Sequence, residues 1–377
     1  MKTHHHFSAP GRTEIGGNHT DHQHGRVLAA AVDLETEAEV VLNQTDRIRV
    51  HSEGYPPFEV DLTDLSVHPE EQGTSAALVR GVAAAFTQRG ARLQGFDMTV
   101  RSRVLPGSGL SSSAAFEVLV GTVLNELFYD SALTPVQVAQ AGQYAENVYF
   151  GKPCGLMDQT VSAMGGLVTI DFRDPERPAA ERVDFDFRRA GIALCIIDSG
   201  ADHADLTEEY AAIARELKQL CAFFGKEYLR EIPEAEFIAA LPRLRDAVSD
   251  RAILRAMHVY RDNERVEAQV QALKTGDVDT FLRLVTQSGH SSWMYLQNVY
   301  PAGAIQKQPV AYALALCDML LQGRGAYRIH GGGFAGTVQA FVPCDMLTDF
   351  KNGIETALGA GSCHVLNVRP QGAGRKK

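Results

Sequence analysis

Along the first hundred residues, hydrophobic and polar positions follow one another in short runs that are rich in β-branched side chains. Runs of this kind predict β-strands. The predicted strands cover residues 26–32, 37–42, 46–51, 58–62 and 97–104. An alanine-rich segment at residues 75–88 predicts a helix, and a further strand at residues 167–172 closes the predicted sheet.

The second half of the chain has a different pattern and is mostly helical. In residues 208–224 apolar side chains recur every three or four positions, which indicates a helix with one buried face. A helical segment that contains His258 and Asn263 is interpreted as packing, without chemistry.

The two patterns meet near the middle of the chain. Strands are predicted near Val183 and at residues 191–197, after a connection rich in proline, arginine and glutamate. We therefore place a domain boundary between residues 180 and 195, which divides the chain into residues 1–190 and 191–377.

Composition narrows the possible functions. The chain has 377 residues, of which 45% are hydrophobic and 22% charged, as in ordinary globular proteins. A net charge of -10 argues against nucleic acids or anionic membranes as partners. Because the sequence has neither an apolar run of roughly 20 residues nor a signal-peptide core, we expect a cytoplasmic protein with a small-molecule substrate. A monomer or weak homo-oligomer is the expected state.

A glycine- and serine-rich turn between a strand and a helix is the strongest candidate for chemistry. Residues 105–118 place Gly107 and Gly109 ahead of three serines, 111–113, that open an apolar helix. Serines cap helices, and amides at a helix N-terminus bind phosphate. The turn lacks the Gly-Lys-Ser/Thr of a Walker A loop. A well-capped structural helix remains an alternative at this point.

Two further segments carry polar residues that could form a site. Residues 9–22 are predicted to be a polar, glycine-broken loop, while the histidines at positions 4–6 are interpreted as a solvated tail. Metal binding by the loop histidines is not favoured, because they lack a Cys or Glu partner at ligand spacing. Glu146 precedes residues 150–159, but alone it could be a solvated charge and Asp158 a helix cap.

Several motifs resemble those of one family. The run Gly-Leu-Ser-Ser-Ser-Ala resembles the phosphate loop of the GHMP kinases, although Leu105 and Pro106 stand in reversed order. Residues 10–22 resemble the galactokinase signature within that family, with Asn18 where galactokinases have Glu and His22 where they have Tyr.

The resemblance continues through the chain, from about residue 10 to residue 368. Residues 154–159 resemble Cys-Gly-Ile-Met-Asp-Gln, and residues 207–210 resemble Ser-Ser-Glu-Tyr. Residues 331–336 resemble the third GHMP motif, which supports the phosphate loop. Ala335 replaces a glycine there, so its φ is predicted to be negative.

This resemblance implies a two-domain α+β GHMP fold, with an N-terminal domain like ribosomal protein S5 and a ferredoxin-like C-terminal domain. It also implies a kinase of carbohydrate metabolism that uses ATP and Mg²⁺ to convert galactose to galactose 1-phosphate. The implied catalytic residues are Asp158 and Arg12. The implied metal ligands are Ser113 and Glu146. The implied sugar contacts are Asn18, His19, Asp21, Gly155 and Tyr210. The implied ATP-binding residues are Gly107, Ser108, Gly109, Leu110, Ser111, Ser112 and Ser113.

Three alternatives remain open. Because Asn18 is neutral and shorter than Glu, the substrate could be a sugar altered at C6, such as galacturonate. A non-catalytic sugar sensor is a second alternative, against which the joint presence of Arg12, Ser113, Glu146 and Asp158 argues. An ATP-binding module without a sugar is disfavoured by residues 12–21.

Overall fold

The computed structural model describes residues 3–104, 109–201 and 206–376. In these ranges the strands are β1 His4–Gly16, β2 Arg26–Leu42, β3 Arg47–Ser52, β4 Phe58–Asp61, β5 Phe96–Ser102, β6 Leu167–Asp171, β7 Ala179–Val183, β8 Ile192–Ala201, β9 Ala326–Ile329, β10 Gly336–Pro343, β11 Cys363–Leu366 and β12 Gly374–Arg375. The α-helices are α1 Ser75–Gln88, α2 Ser112–Phe128, α3 Pro135–Tyr144, α4 Met157–Met164, α5 Thr207–Phe223, α6 Glu234–Ala247, α7 Asp250–Thr275, α8 Val278–Ser291, α9 Pro309–Leu321 and α10 Leu347–Leu358.

The long strand β2 organises the larger of two sheets. It pairs with β1 along most of its length, with β6 along residues 26–30 and with β5 along residues 36–42. The sheet order is β12-β1-β2-β5-β3-β4, and in addition β6 pairs with β2 and β7 pairs with β6. Among the described strands, only the pair β3–β5 is parallel.

Side chains of β2 alternate between two separate cores, as the two-residue period of a strand requires. Val27, Ala29 and Ala31 face the core that helices α1–α4 form with the sheet. Leu28, Ala30 and Val32 belong to a second core, which α7, α8 and strands β8 and β10 complete. Both faces of the sheet are therefore covered, which explains why this stretch is apolar throughout.

The smaller sheet is antiparallel and has the order β11-β8-β10-β9. With α9 between β8 and β9, and α10 between β10 and β11, it forms a β-α-β-β-α-β unit of the ferredoxin type, as predicted. Helices α5–α8 are inserted after its first strand, and α5, α6 and α7 share a core of their own.

The change of sheet falls between β7 and β8, near the predicted division at residue 190. The short strand β12 nevertheless pairs with β1 in the larger sheet. The division into residues 1–190 and 191–377 stays a prediction. In the part of the chain that the structure describes, no helix is long and apolar enough to cross a membrane.

Two local predictions near the N-terminus were wrong. Residues 4–16 form one strand, so the histidines at 4–6 lie in β1 rather than in a solvated tail, and the segment 9–16 is not a loop. The predicted strands 26–32 and 37–42 are one strand, β2. In both cases residue-by-residue pairing between β1 and β2 outweighs the local turn signals. The pairing register shifts between Pro10 and Arg12 and between Glu14 and Gly16, so the strand continues through its glycines.

Candidate active site

Arg12 joins β1 to the start of α2. Its backbone N–H donates to the carbonyl of Leu110 (3.0 Å), and its guanidinium donates to the carbonyl of Gly109. The same guanidinium donates hydrogen bonds to both carboxylate oxygens of Asp158, with Nε 2.6 Å from Oδ1. A bidentate pair of this kind fixes both groups in one orientation. The Arg12 side chain is 11% exposed, which keeps the pair largely out of water.

Ser111 differs from its predicted capping role. It occupies the N-cap position of α2, yet its side chain makes no cap and donates instead to Oδ2 of Asp158 (2.5 Å). Its backbone has φ of 59°, a conformation that non-glycine residues rarely adopt and that recurs at functional sites. The Ser111 side chain therefore does not cap the first amides of α2, which suits an anion better than a filled cap does.

Asp158 is a carboxylate held in its charged form. Burial raises its pKa, but the charge and hydrogen bonds of Arg12, together with the Ser111 hydroxyl, outweigh burial, so the pKa lies below its usual value. Asp158 sits in the first turn of α4, where the helix dipole also favours negative charge. Its negative charge therefore faces the N-terminus of α2.

Glu146 is buried in a wide π-type turn, Ala145–Phe150, that extends α3. Turns of this type occur frequently at functional sites. Oε2 of Glu146 accepts from Nε2 of Gln159 (2.9 Å), and Oε1 lies 3.3 Å from Nζ of Lys152. Gln159 follows Asp158 in α4, so this hydrogen bond links Glu146 to the helix that carries Asp158.

The residues predicted to hold Mg²⁺ fit that ion. Mg²⁺ is usually bound through one or two carboxylates together with substrate phosphates and water. Ser113 lies in the first turn of α2, and buried Glu117, one turn further, has a carboxylate oxygen without a partner in the described part of the chain. An unsatisfied buried acid behind a phosphate-type turn suits a cation. No group of three or more His, Cys, Asp or Glu residues that could hold a metal occurs among the described residues.

We call the set Arg12, Ser111, Glu146 and Asp158 the α2 end of the site. The loop end comprises residues 17–21, the turn at residues 331–333 and Tyr210. Gly107 and Ser108, predicted to bind ATP, lie outside the described residues.

At the loop end, side chains hydrogen-bond to the carbonyls of the glycine turn. Nε2 of His19 donates to Gly332 (2.8 Å), and Nδ2 of Asn18 donates to Gly331 (2.7 Å). The hydroxyl of Tyr210 donates to Gly333 (2.7 Å), and burial raises its pKa to about 12. The turn therefore packs against the loop, and the ring of the neighbouring His330 lies against Gly109.

Asn18 is more enclosed than its predicted sugar contact suggests. It is 1% exposed, and Nδ2 also donates to Oε1 of Glu14 (3.1 Å). Its Oδ1 accepts from Nδ2 of Asn298 (2.9 Å) and from the Ser292 hydroxyl (3.4 Å). Both donors and the acceptor of the amide are therefore used inside the protein.

Asp21 and Gly155 lie against each other and join the two ends. A Cβ on Gly155 would stand 2.5 Å from Oδ2 of Asp21, so a larger residue would displace that carboxylate. Burial raises the pKa of Asp21, although the charge of His19 opposes that rise. In the third motif, Ala335 does not have a positive φ, as predicted. Its neighbour Phe334 does, with a φ of 60°.

The sequence analysis missed the role of α7, which it interpreted as packing. Nε2 of His258 donates to the backbone carbonyl of Asn18 (2.9 Å), and the backbone N–H of Asn18 donates to Oδ2 of Asp262 (2.9 Å). Oδ1 of Asn263 accepts from the amide of Arg26 (2.7 Å). Buried polar residues on an otherwise amphipathic helix were the signal, since such groups need partners.

Comparison with known proteins agrees with this architecture. The model of the GHMP kinases N terminal domain matches residues 77–166, and the galactokinase galactose-binding signature matches residues 2–40. A galactokinase of Streptomyces coelicolor is 32% identical over 365 residues, which cover 96% of this chain and 90% of that protein.

Solved structures show the same fold. The galactokinase of Lactococcus lactis, complexed with galactose, superposes with a TM-score of 0.81 at 24% identity over 99% of this chain and 95% of that one. The mevalonate kinase of Methanococcus jannaschii superposes with a TM-score of 0.68 at 13% identity over 97% and 98% of the two chains. The predicted two-domain α+β GHMP fold is thus confirmed.

Proposed function

The chain belongs to the galactokinase family of GHMP kinases, and on that basis we propose that it transfers the γ-phosphoryl group of ATP to the anomeric hydroxyl of galactose. The products are galactose 1-phosphate and ADP. A galactokinase relative at 32% identity along nearly the whole chain supports this assignment.

The Arg12–Asp158 pair is the observation that carries the proposal. It places an ionised carboxylate, an arginine and the N-terminus of α2, which Ser111 does not cap, in one cluster. Phosphoryl transfer needs positioned charges more than covalent chemistry, and this cluster supplies both signs of charge at one place.

In this proposal Asp158 orients the anomeric hydroxyl and accepts its proton. The lowered pKa of Asp158 keeps the carboxylate ionised near neutral pH. Its main role is therefore to position the anomeric hydroxyl, whose proton it accepts during the transfer. Arg12 keeps Asp158 charged and, from the same position, neutralises negative charge on the transferred phosphoryl group.

The nucleotide phosphates bind at the N-terminus of α2. Backbone amides of residues 109–113 hold them, and Gly107 and Ser108 are proposed to complete the loop. Ser113 and Glu146 would hold Mg²⁺, whose bound form neutralises charge on the phosphates.

The sugar occupies the loop end. His19, Asp21 and Tyr210 are proposed to contact sugar hydroxyls, and Gly155 lets the backbone approach the ring. The contact of Asn18 with the sugar stays a prediction, and its four internal hydrogen bonds give it a competing structural role. Kinase action on a C6-altered sugar is correspondingly less supported.

The deciding experiment measures ADP release from Mg-ATP with a panel of monosaccharides that includes galactose, glucose and galacturonate. Galactose should give the highest kcat/KM. Tight galactose binding with ADP release at the background rate would support a sugar sensor instead. We also propose a cytoplasmic location. We further propose a monomeric or weakly associating state, and light scattering after size-exclusion chromatography would test that state.

A further inference from the structure

Helix α2 buries an acid that the proposed mechanism does not use. Glu117 is fully buried in an apolar stretch of the helix. Its Oε2 accepts from Nε2 of Gln159 (3.0 Å), whereas Oε1 has no partner among the described residues. A buried carboxylate of this kind is costly unless donors or a positive charge compensate it.

Gln159 ties this acid to Glu146. Its Nε2 donates to Glu117 (3.0 Å) and to Glu146 (2.9 Å), so one amide group holds two acids side by side. The Oε1 atom of Gln159 also lacks a partner within the described ranges. Burial and the charge of Glu146 raise the pKa of Glu117 well above its usual value, which favours a protonated carboxyl group at this position.

The position of Glu117 relates it to the proposed metal site. It follows Ser113 by four residues, so both side chains project from the same face of α2. Gln159 follows Asp158 on α4. On α3, Gly142 leaves the space that the acid needs, since a Cβ there would stand 3.3 Å from Oε2 of Glu117.

We propose that Glu117 is a positioning residue for the metal ion: through Gln159 it fixes the carboxylate of Glu146. The inference rests on the proposed function, because Glu146 is taken as a metal ligand. Partners of metal ligands commonly change metal affinity by about 10- to 100-fold when they are replaced.

The test measures binding of Mn²⁺ in the presence of a non-hydrolysable ATP analogue, by the electron paramagnetic resonance signal of free Mn²⁺. Glu117→Leu removes the acceptor that holds the side-chain amide of Gln159, and we expect its Kd for Mn²⁺ to rise about tenfold. Glu117→Gln keeps the shape of the side chain and an acceptor for Gln159, so its Kd should stay close to that of wild type. Glu126→Gln, further along α2, is the matched control and should leave the Kd unchanged.

Two companion variants make the outcome decisive. Gln159→Met removes both hydrogen bonds of the relay and should raise the Kd in the same direction, so the inference stays testable even if one variant folds poorly. Glu146→Gln reports on the metal site itself. If Glu146→Gln weakens Mn²⁺ binding while Glu117→Leu stays within twofold of wild type, Glu117 is only a core acid and the inference is wrong. If neither variant alters binding, the assignment of Glu146 fails first.

Discussion

The two ends of the candidate site differ in how they use polar groups. At the α2 end, side-chain charges contact one another, as in the grip of Arg12 on Asp158. At the loop end, Asn18 and His19 donate to backbone carbonyls of the glycine turn. The α2 end therefore supplies electrostatics, while the loop end fixes the shape of the backbone.

This difference separates the effects of substitutions. Changes at the α2 end should reduce turnover, because they remove charge from the place of phosphoryl transfer. Changes at the loop end should weaken sugar binding and lower stability, because they leave buried donors or acceptors without partners.

The largest effect is expected for Asp158→Asn, which removes the charge that Arg12 and Ser111 hold. We expect kcat to fall by about 10²- to 10⁴-fold with nearly unchanged ATP binding, since Asp158 faces the acceptor. Steady-state kinetics and calorimetric titration of the nucleotide would measure both quantities. Turnover within a few-fold of wild type would mean that the α2 end does not carry the chemistry.

The next prediction concerns Asp262, whose carboxylate accepts from the backbone N–H of Asn18 and from the guanidinium of Arg265 (2.7 Å). Asp262→Asn should cost about 1–3 kcal/mol of unfolding free energy, because a buried donor loses its partner. It should also raise the KM for galactose more than the KM for ATP. Glu264→Gln, an exposed change on the same helix, is the control. Equal increases in both KM values would contradict the separation of the two ends.

A loss of stability should also appear on acidification, and it should arise from three buried histidines near the site. Burial lowers the pKa of His258 and His330, and lowers that of His22 to about 3. Below a pH of about 6.5 the unfolded chain binds protons that the folded protein cannot, so stability falls as the pH decreases. Each histidine contributes up to about 1.4 kcal/mol per pH unit.

Denaturant unfolding between pH 7 and pH 5 measures this loss, and His258→Gln should make the dependence less steep. The stabilisation of the α2 end behaves differently. Because the pKa of Asp158 is lowered, its contribution is present above the unfolded value of 3.8 and is lost only as the pH falls further. A stability curve that is flat down to pH 5 would show that the buried histidines titrate normally.

The smallest functional effect is expected for Asn18→Glu. The amide of Asn18 is occupied by internal partners, and a new carboxylate would face Oε1 of Glu14 and the carbonyl of Gly331. We expect lower stability and an unchanged ratio of kcat/KM for galactose over galacturonate, within about twofold. A shift of this ratio toward galactose would instead place residue 18 at C6 and revive the broader-substrate hypothesis.

Local signals in the sequence were sufficient for most elements. The alanine-rich segment gives α1 at Ser75–Gln88 as predicted, and Thr134 forms a capping box with Gln137 at the start of α3. The motifs also placed Arg12, Ser111 and Asp158 in one site by resemblance. Such features are readable because the interacting residues are close in sequence or belong to a known pattern.

Only the tertiary structure decided how those residues are used. Ser111 looked like a helix cap, but its hydroxyl donates to Asp158, 47 positions away. His258 looked like packing, but it holds the carbonyl of Asn18, 240 positions away. The sequence thus determined most of the elements and, by resemblance, the candidate residues of the site. The folded chain determined their partners, because the local pattern of a segment does not identify which distant residue will bond to it.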